Sequence, residues 1–180
     1  MRSTTLLAMA AGLTFSSAAL GQTLDLGNLE NTVSSGLSSP VGAYNAPGEA
    51  VTRLYIVNSP GTISLAINGT VQGTPFLNLA SLSDPTLRVI GQTGTGVNRY
   101  NEQGLLGMAF DPDYNTPGSL NNGYFYIYYI APRGSTYVPQ AGLLYDRGRV
   151  IVARVKRSAV DPNQADLSTF KVIMTWDKPE

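Results

Sequence analysis

The chain has 180 residues, of which 43% are hydrophobic and 13% charged, and its formal net charge is zero. This composition excludes a disordered chain, which would combine low hydrophobicity with high net charge, and it predicts no nucleic-acid partner. The chain has no cysteine and no histidine, which excludes disulfides, Ser-His-Asp triads, cysteine nucleophiles and His/Cys zinc sites.

The N-terminal segment has the layout of a secretory signal peptide. Arg2 supplies a positive charge, an apolar and small-residue stretch runs from Leu6 to Leu20, and a cleavage point follows Gly21. Polar residues interrupt the stretch, and it is shorter than the roughly 20 apolar residues of a membrane-spanning helix. We therefore predict a signal peptide over 1–21, a secreted or periplasmic mature chain over 22–180, and no membrane partner after cleavage.

Strand patterns dominate the rest of the chain. A β-branched and aromatic run at Arg53–Val57 is followed by a turn at Ser59-Pro60-Gly61. An alternating run at Thr62–Ile67 leads into Asn68-Gly69, a strong hairpin signal because both turn residues must take positive φ. With Thr70 the same residues form a glycosylation sequon, an alternative that stays open. Further strands are predicted at Leu105–Phe110, Tyr124–Ile130, Arg149–Lys156 and Phe170–Trp176.

The spacing of these strands predicts an all-β fold. No long stretch shows a helical period with caps, and loops are predicted at Ser81–Tyr100 and Ala131–Gly148. Strands separated by turn signals are typical of a sandwich, a barrel or a propeller. The apolar run Leu105–Phe110 indicates a strand buried on both faces, in which Gly104 and Gly107 permit close approach of another backbone.

A series of short motifs supports a family resemblance. The matching segments are Gly36–Pro40, Arg53–Val57, Pro60–Ile63, Pro75–Leu79, Glu102–Tyr114, Asn122–Tyr126, Val152–Val155 and Asp161–Asn163. With these motifs in this order, the chain resembles the soluble quinoprotein-type sugar dehydrogenases, which form the glucose/sorbosone dehydrogenase family. That group also includes hedgehog-interacting proteins. The resemblance implies a six-bladed β-propeller that holds pyrroloquinoline quinone, usually with calcium, and oxidises aldose sugars. A small-molecule sugar is then the expected substrate of the full-length form.

The length of the mature chain limits how much of that fold it supplies. A blade takes roughly 40–50 residues, so 22–180 can form three blades at most, and its many loops favour about two. The resemblance places the general base, a histidine, just after the counterpart of Thr175–Glu180. Since sugar oxidation needs a base of near-neutral pKa, we expect no catalytic residue in this chain and no cofactor bound by it alone.

The resemblance also suggests a cofactor pocket. It implies a cofactor or substrate contact just ahead of the Gly-Leu-Leu-Gly run, at Glu102 with Gln103 beside it. The structural alternative is that both residues cap an inner strand that faces a solvent-filled channel.

A second candidate site lies in the turn that follows. Asp111, Asp113 and Asn115 have the spacing of a calcium loop, but Thr116 stands where that loop needs glycine. A polar turn with Asx hydrogen bonds is the favoured interpretation, so no metal ligand is assigned.

Three functional hypotheses follow. The chain is the N-terminal portion of a secreted sugar dehydrogenase-like protein that oxidises aldoses by hydride transfer to the quinone. Alternatively it is a non-catalytic propeller that binds a partner, or an inactive truncated product. The lack of histidine leaves open whether it is an enzyme at all.

Overall fold

Two antiparallel β-sheets make up the described part of the chain, so the all-β prediction is confirmed. The computed structural model describes residue 33 and residues 35–49, 53–90, 103–133 and 148–177. All of them belong to one of the two units of the chain, Asn31–Glu180. The predicted signal peptide and Glu102 lie outside the described residues. No helix within the described ranges is long and apolar enough to cross a bilayer.

Sheet A contains the first five strands. They are β1 (Pro40–Tyr44), β2 (Arg53–Asn58), β3 (Thr62–Ile67), β4 (Thr70–Val71) and β5 (Leu77–Asn78). The order is β1-β2-β3-β4, and β5 pairs with the beginning of β3. Asn68 and Gly69 take φ values of 50° and 77° between the paired residues Ile67 and Thr70, which confirms the predicted hairpin.

Two short 3-10 helices, Leu79–Ser81 and Pro85–Leu87, follow sheet A. The side chain of Asn78 caps the first by accepting from the Ala80 N–H, and Asp84 caps the second by accepting from the Thr86 N–H. Both helices are single turns, too short for a helical period to reveal them in the sequence.

Sheet B is a four-stranded meander in chain order. Its strands are β6 (Leu105–Phe110), β7 (Tyr124–Ala131), β8 (Arg149–Arg157) and β9 (Ala165–Asp177). All four predicted strands are confirmed, although β9 begins well before the predicted Phe170. Its first half pairs with β8 across an irregular register, which the alternation of side chains in the sequence does not reveal.

The core lies between the two sheets. Sheet A contributes alternate residues of β2 and β3, including Tyr55, and sheet B contributes alternate residues of β7 and β8, including Phe125. Tyr55 packs edge-to-face on Phe76 and Phe110, with ring centroids 4.8 and 4.9 Å apart. Phe76 continues the aromatic cluster to Phe125 at 5.2 Å. These side chains hold the sheets face to face.

The two sheets approach each other closely at Gly104, just before β6. Gly104 has φ +146°, and a Cβ there would lie against the carbonyl oxygen of Ser59 and 2.8 Å from its Oγ. The Leu105 N–H donates to that same carbonyl at 2.9 Å. Close backbone approach is therefore confirmed at Gly104. At Gly107 it is not, because a Cβ there would meet only the Tyr44 hydroxyl at 3.7 Å, an ordinary contact.

The prediction that β6 is buried on both faces is wrong for the described structure. Leu105 and Met108 are buried against sheet A, whereas Ala109 points to the other side and is exposed. The other face of sheet B is thus open along part of its length.

Candidate functional site

Three loops meet at one end of the two sheets. They are the described parts of the β1–β2, β6–β7 and β8–β9 connections, residues 45–49, 111–123 and 158–164. Antiparallel pairing places the ends of β1, β6 and β8 at this end together with the starts of β2, β7 and β9. We call these three loops the loop rim.

Glu49 is the electrostatic centre of the loop rim. Its Oε1 accepts a hydrogen bond from the Tyr55 hydroxyl at 3.1 Å and lies 3.5 Å from Arg157 Nη1. Arg53 Nε lies 3.2 Å from Glu49 Oε2 but donates its hydrogen to the Tyr55 hydroxyl at 3.0 Å. Glu49 Oε2 therefore interacts with Arg53 through charge alone. The side chain of Glu49 is only 12% exposed and lies between two guanidinium groups, so its contacts are with the protein more than with solvent.

The two arginines join Glu49 to the other loops. Arg53 donates to the side chain of Asn163 at 2.8 Å and to the Pro162 carbonyl at 2.9 Å. Arg157 donates to Asn115 Oδ1 at 2.9 Å. These charge-assisted hydrogen bonds fix all three loops relative to the sheets.

Two buried tyrosines complete this network. The hydroxyls of Tyr55 and Tyr114 lie 3.4 Å apart, and the Arg157 guanidinium stacks on the Tyr114 ring at 4.8 Å. Burial raises the pKa of both hydroxyls above the ordinary tyrosine value. Both tyrosines stay protonated at neutral pH, so they act as hydrogen-bonding groups and not as acids or bases.

The carboxylates of the β6–β7 loop stabilise its own turn. Asp111 accepts from the Asp113 N–H at 3.0 Å and from the Tyr126 hydroxyl at 2.9 Å. Asp113 accepts from the Ser119 hydroxyl at 2.9 Å. Asn115, the third member of the calcium-like spacing, instead donates to the Pro47 carbonyl. The three side chains turn to different partners, and the described residues contain no group of three His, Cys, Asp or Glu that could hold a metal. The hydrogen bond from the Asp113 N–H to Asp111 is that of an Asx turn, and the expectation that no metal binds here stays a prediction.

The tips of the loop rim expose two aliphatic side chains. Leu120 is 93% exposed in the β6–β7 loop, and Val160 is 96% exposed in the β8–β9 loop. Loops held by a rigid scaffold are a common location for binding residues. The arrangement can therefore present apolar side chains to a partner.

The predicted cofactor contact lies away from this network. Gln103 is buried immediately before β6, at the opposite end of the sheets from the loop rim. Glu102 falls outside the described residues. The structure therefore does not bring Gln103 together with Glu49, Asp111 or Tyr114, and the role of Glu102 and Gln103 as cofactor contacts stays a prediction.

Sequence reasoning missed the loop rim. Glu49 and Arg157 are 108 positions apart, and neither belongs to a motif. One weak signal was present, since Arg53 and Arg157 lie at the ends of strands, where long cationic side chains can reach neighbouring loops.

The chain is similar to proteins of known name over most of its length. No known protein-family model matches the chain. The chain is 30% identical over 144 residues to a Hedgehog-interacting protein of Homo sapiens and 29% identical over 143 residues to that of Mus musculus. Each match covers 79% of this chain and 17% of the relative. The chain thus spans about a sixth of the length of the curated relatives it matches.

These relatives correct the family and function expected from the sequence. Both are named for an interaction with Hedgehog, and nothing in the matches points to a quinone-dependent sugar dehydrogenase. The assignment to that dehydrogenase family, the expected oxidation of aldoses and the expected sugar substrate are therefore wrong. The physical reason is that the motifs behind the resemblance lie largely in packed strands and turns, which specify a fold and not a chemistry. The alternative of a non-catalytic binding module agrees better with the relatives.

Proposed function

We propose that the chain is part of a non-catalytic module that binds a protein ligand through the loop rim. The observation that carries this proposal is the similarity, over 79% of the chain, to proteins named for their interaction with Hedgehog. The chain spans only 17% of the length of those proteins, so a Hedgehog partner for this chain is itself part of the proposal. A Hedgehog-like protein is accordingly the first ligand to test.

The geometry of the loop rim supports this choice over catalysis. The charge of Glu49 is offset by Arg53 and Arg157, and the buried tyrosines stay protonated. Leu120 and Val160 present aliphatic side chains to solvent, beside exposed polar residues such as Asn121 and Gln164. Apolar anchors on rigid loops lose little conformational entropy on binding, which suits a protein interface.

The proposal includes a fold and a location. We infer that sheets A and B are two adjacent blades of a six-bladed β-propeller. The meander order of β1–β4 in sheet A and of β6–β9 in sheet B supports this inference, as does the face-to-face packing of the sheets. The signal-like N-terminal segment supports a secreted or periplasmic location. We further propose that this chain alone binds neither pyrroloquinoline quinone nor calcium.

Biolayer interferometry tests the binding proposal. The purified 180-residue chain is immobilised and exposed to a recombinant Hedgehog protein, and saturable binding is expected. Leu120→Glu and Val160→Glu should each weaken binding at least tenfold, which corresponds to about 1.4 kcal/mol. Ser83→Glu places the same charge on an exposed loop outside the loop rim and should leave binding unchanged. A folded chain that shows no saturation up to about 100 μM ligand would refute the proposal.

A further inference from the structure

The sequence contains two Asn-Gly pairs, and both lie among the described residues. Asn68-Gly69 is the turn between β3 and β4, and Asn122-Gly123 comes immediately before β7. Glycine after asparagine favours an internal reaction between the two residues, because no Cβ hinders the approach of the glycine nitrogen to the asparagine side chain. The two pairs are chemically alike, so a difference in their reactivity comes from the structure around them.

Hydrogen bonds do not restrain the Asn68-Gly69 pair at the tip of its hairpin. Asn68 is exposed, and no described residue forms a hydrogen bond with its side chain or with the Gly69 N–H. The pairing of Ile67 with Thr70 closes the hairpin on either side of the turn. The side-chain amide and the backbone nitrogen that attacks it are therefore both available.

The hairpin also tolerates the rotation that this reaction requires. Asn68 and Gly69 take φ values of 50° and 77°, as in a type I′ turn, and ring closure rotates the peptide group between them. The type II′ turn also closes a two-residue hairpin, keeps a positive φ at the first position and differs mainly in the orientation of that peptide group. Because glycine adopts either sign of φ, the turn can change while Ile67 and Thr70 stay paired.

The Asn122-Gly123 pair is held at both reacting groups. The side-chain amide of Asn122 donates to the Thr116 carbonyl at 2.9 Å. The Gly123 N–H donates to the Tyr114 carbonyl at 2.8 Å, and Gly123 is buried. Ring closure at this pair has to break both hydrogen bonds, so the folded structure opposes it.

We propose that Asn68 is a site of spontaneous deamidation in the folded chain, whereas Asn122 is protected. The backbone nitrogen of Gly69 bonds to Cγ of Asn68, and the side-chain nitrogen leaves as ammonia with the proton that the backbone nitrogen gives up. Water then opens the resulting succinimide at one of its two carbonyl groups. The product at this position is aspartate or isoaspartate, and water is the only other reactant.

The reaction changes the turn at the same end of the sheets as the loop rim. Ile67, next to Asn68, pairs with Arg53, and Arg53 donates to Asn163 and to the Pro162 carbonyl in the β8–β9 loop. Deamidation adds one negative charge to a chain whose formal net charge is zero. Isoaspartate also adds a methylene group to the main chain of the turn. Both the charge and the backbone of the hairpin tip therefore change beside the loop rim.

Peptide mapping by mass spectrometry tests the proposal. The purified chain, shown to be folded by circular dichroism, is incubated at mildly alkaline pH, and samples taken over time are digested with trypsin. The two pairs fall in separate peptides, 54–88 and 100–133. We expect Asn68 to convert at least about tenfold faster than Asn122, which corresponds to about 1.4 kcal/mol of activation free energy. In concentrated urea the contacts of Asn122 are lost, and the two rates should become similar.

The other outcomes also decide the question. Equal rates at the two positions in the folded chain would overturn the proposal. So would an Asn68 that converts in urea but stays intact in the folded chain, because the hairpin would then lock its turn. Asn68→Gln should remove the acidic species that ion-exchange chromatography separates, and its persistence would assign the reaction to another residue. These measurements do not involve a binding partner, so their result is independent of the proposed function.

Discussion

Replacing Gly104 with alanine should severely destabilise the contact between the two sheets. The backbone φ of +146° belongs to a region that only glycine adopts easily, and the added Cβ would press on the Ser59 carbonyl. That carbonyl cannot move freely, because it accepts the hydrogen bond from the Leu105 N–H that begins β6. The substitution therefore combines backbone strain with overpacking at a fixed point.

The size of the effect follows from these two contributions. An unfavourable φ costs about 1–3 kcal/mol, and overpacking costs a further ~1–3 kcal/mol. Alanine recovers about 0.4–1 kcal/mol by restricting the unfolded chain. The expected loss is about 3 kcal/mol, a large share of the roughly 5–15 kcal/mol by which domains are stable.

Urea unfolding followed by circular dichroism measures this loss. With a slope of about 1–3 kcal/mol per molar urea, the midpoint should fall by at least about 1 M. Gly107→Ala, three residues on in β6, is the matched control, because its Cβ would lie 3.7 Å from the Tyr44 hydroxyl and its φ is not positive. A Gly104→Ala midpoint equal to that of Gly107→Ala would refute the argument from close approach.

Three further predictions concern the loop rim, the buried tyrosines and the chemistry. Glu49→Gln should lower the free energy of unfolding in urea by about 2 kcal/mol, because charge-assisted hydrogen bonds are lost. The control Asp84→Asn, at an exposed helix cap, should lower it little. Equal effects of the two substitutions would contradict the central role of Glu49. Burial raises the pKa of the Tyr114 and Tyr129 hydroxyls in the folded chain. Above about pH 10, the ordinary tyrosine pKa, the folded chain therefore binds more protons than the unfolded chain. The free energy of unfolding should be constant below that pH and fall as the pH rises further. Thermal unfolding at a series of pH values measures this effect, and a midpoint that does not fall above about pH 10 would be inconsistent with the raised pKa values. Replacing Tyr129 with phenylalanine should make the midpoint depend less on pH. Supplied with pyrroloquinoline quinone and calcium, the chain should not reduce a redox dye in the presence of aldoses, and measurable turnover would disprove this expectation.

Local patterns account for the elements that the sequence predicted correctly. The β3–β4 hairpin follows from Asn68-Gly69, whose positive φ values are a property of those two residues. Strands β6, β7 and β8 are predicted correctly because short runs of apolar, aromatic and β-branched residues favour a buried strand. Strand β1 was missed because Pro40 and Gly42 interrupt its pattern and a register shift separates them.

The loop rim depends on contacts that no local pattern encodes. The sequence by itself determined an all-β chain, a defined hairpin turn and the lack of histidine and cysteine, because these depend on composition or on neighbouring residues. Only the tertiary structure joined Glu49 to Arg157 and to the loops that carry Leu120 and Val160. It also showed that the face of β6 turned away from sheet A is only partly covered, with Leu106 packed on a small apolar cluster and Ala109 exposed. The physical reason is that burial and charge pairing depend on which strands meet in space, whereas the side-chain alternation of a strand defines its two faces but not the partner of each.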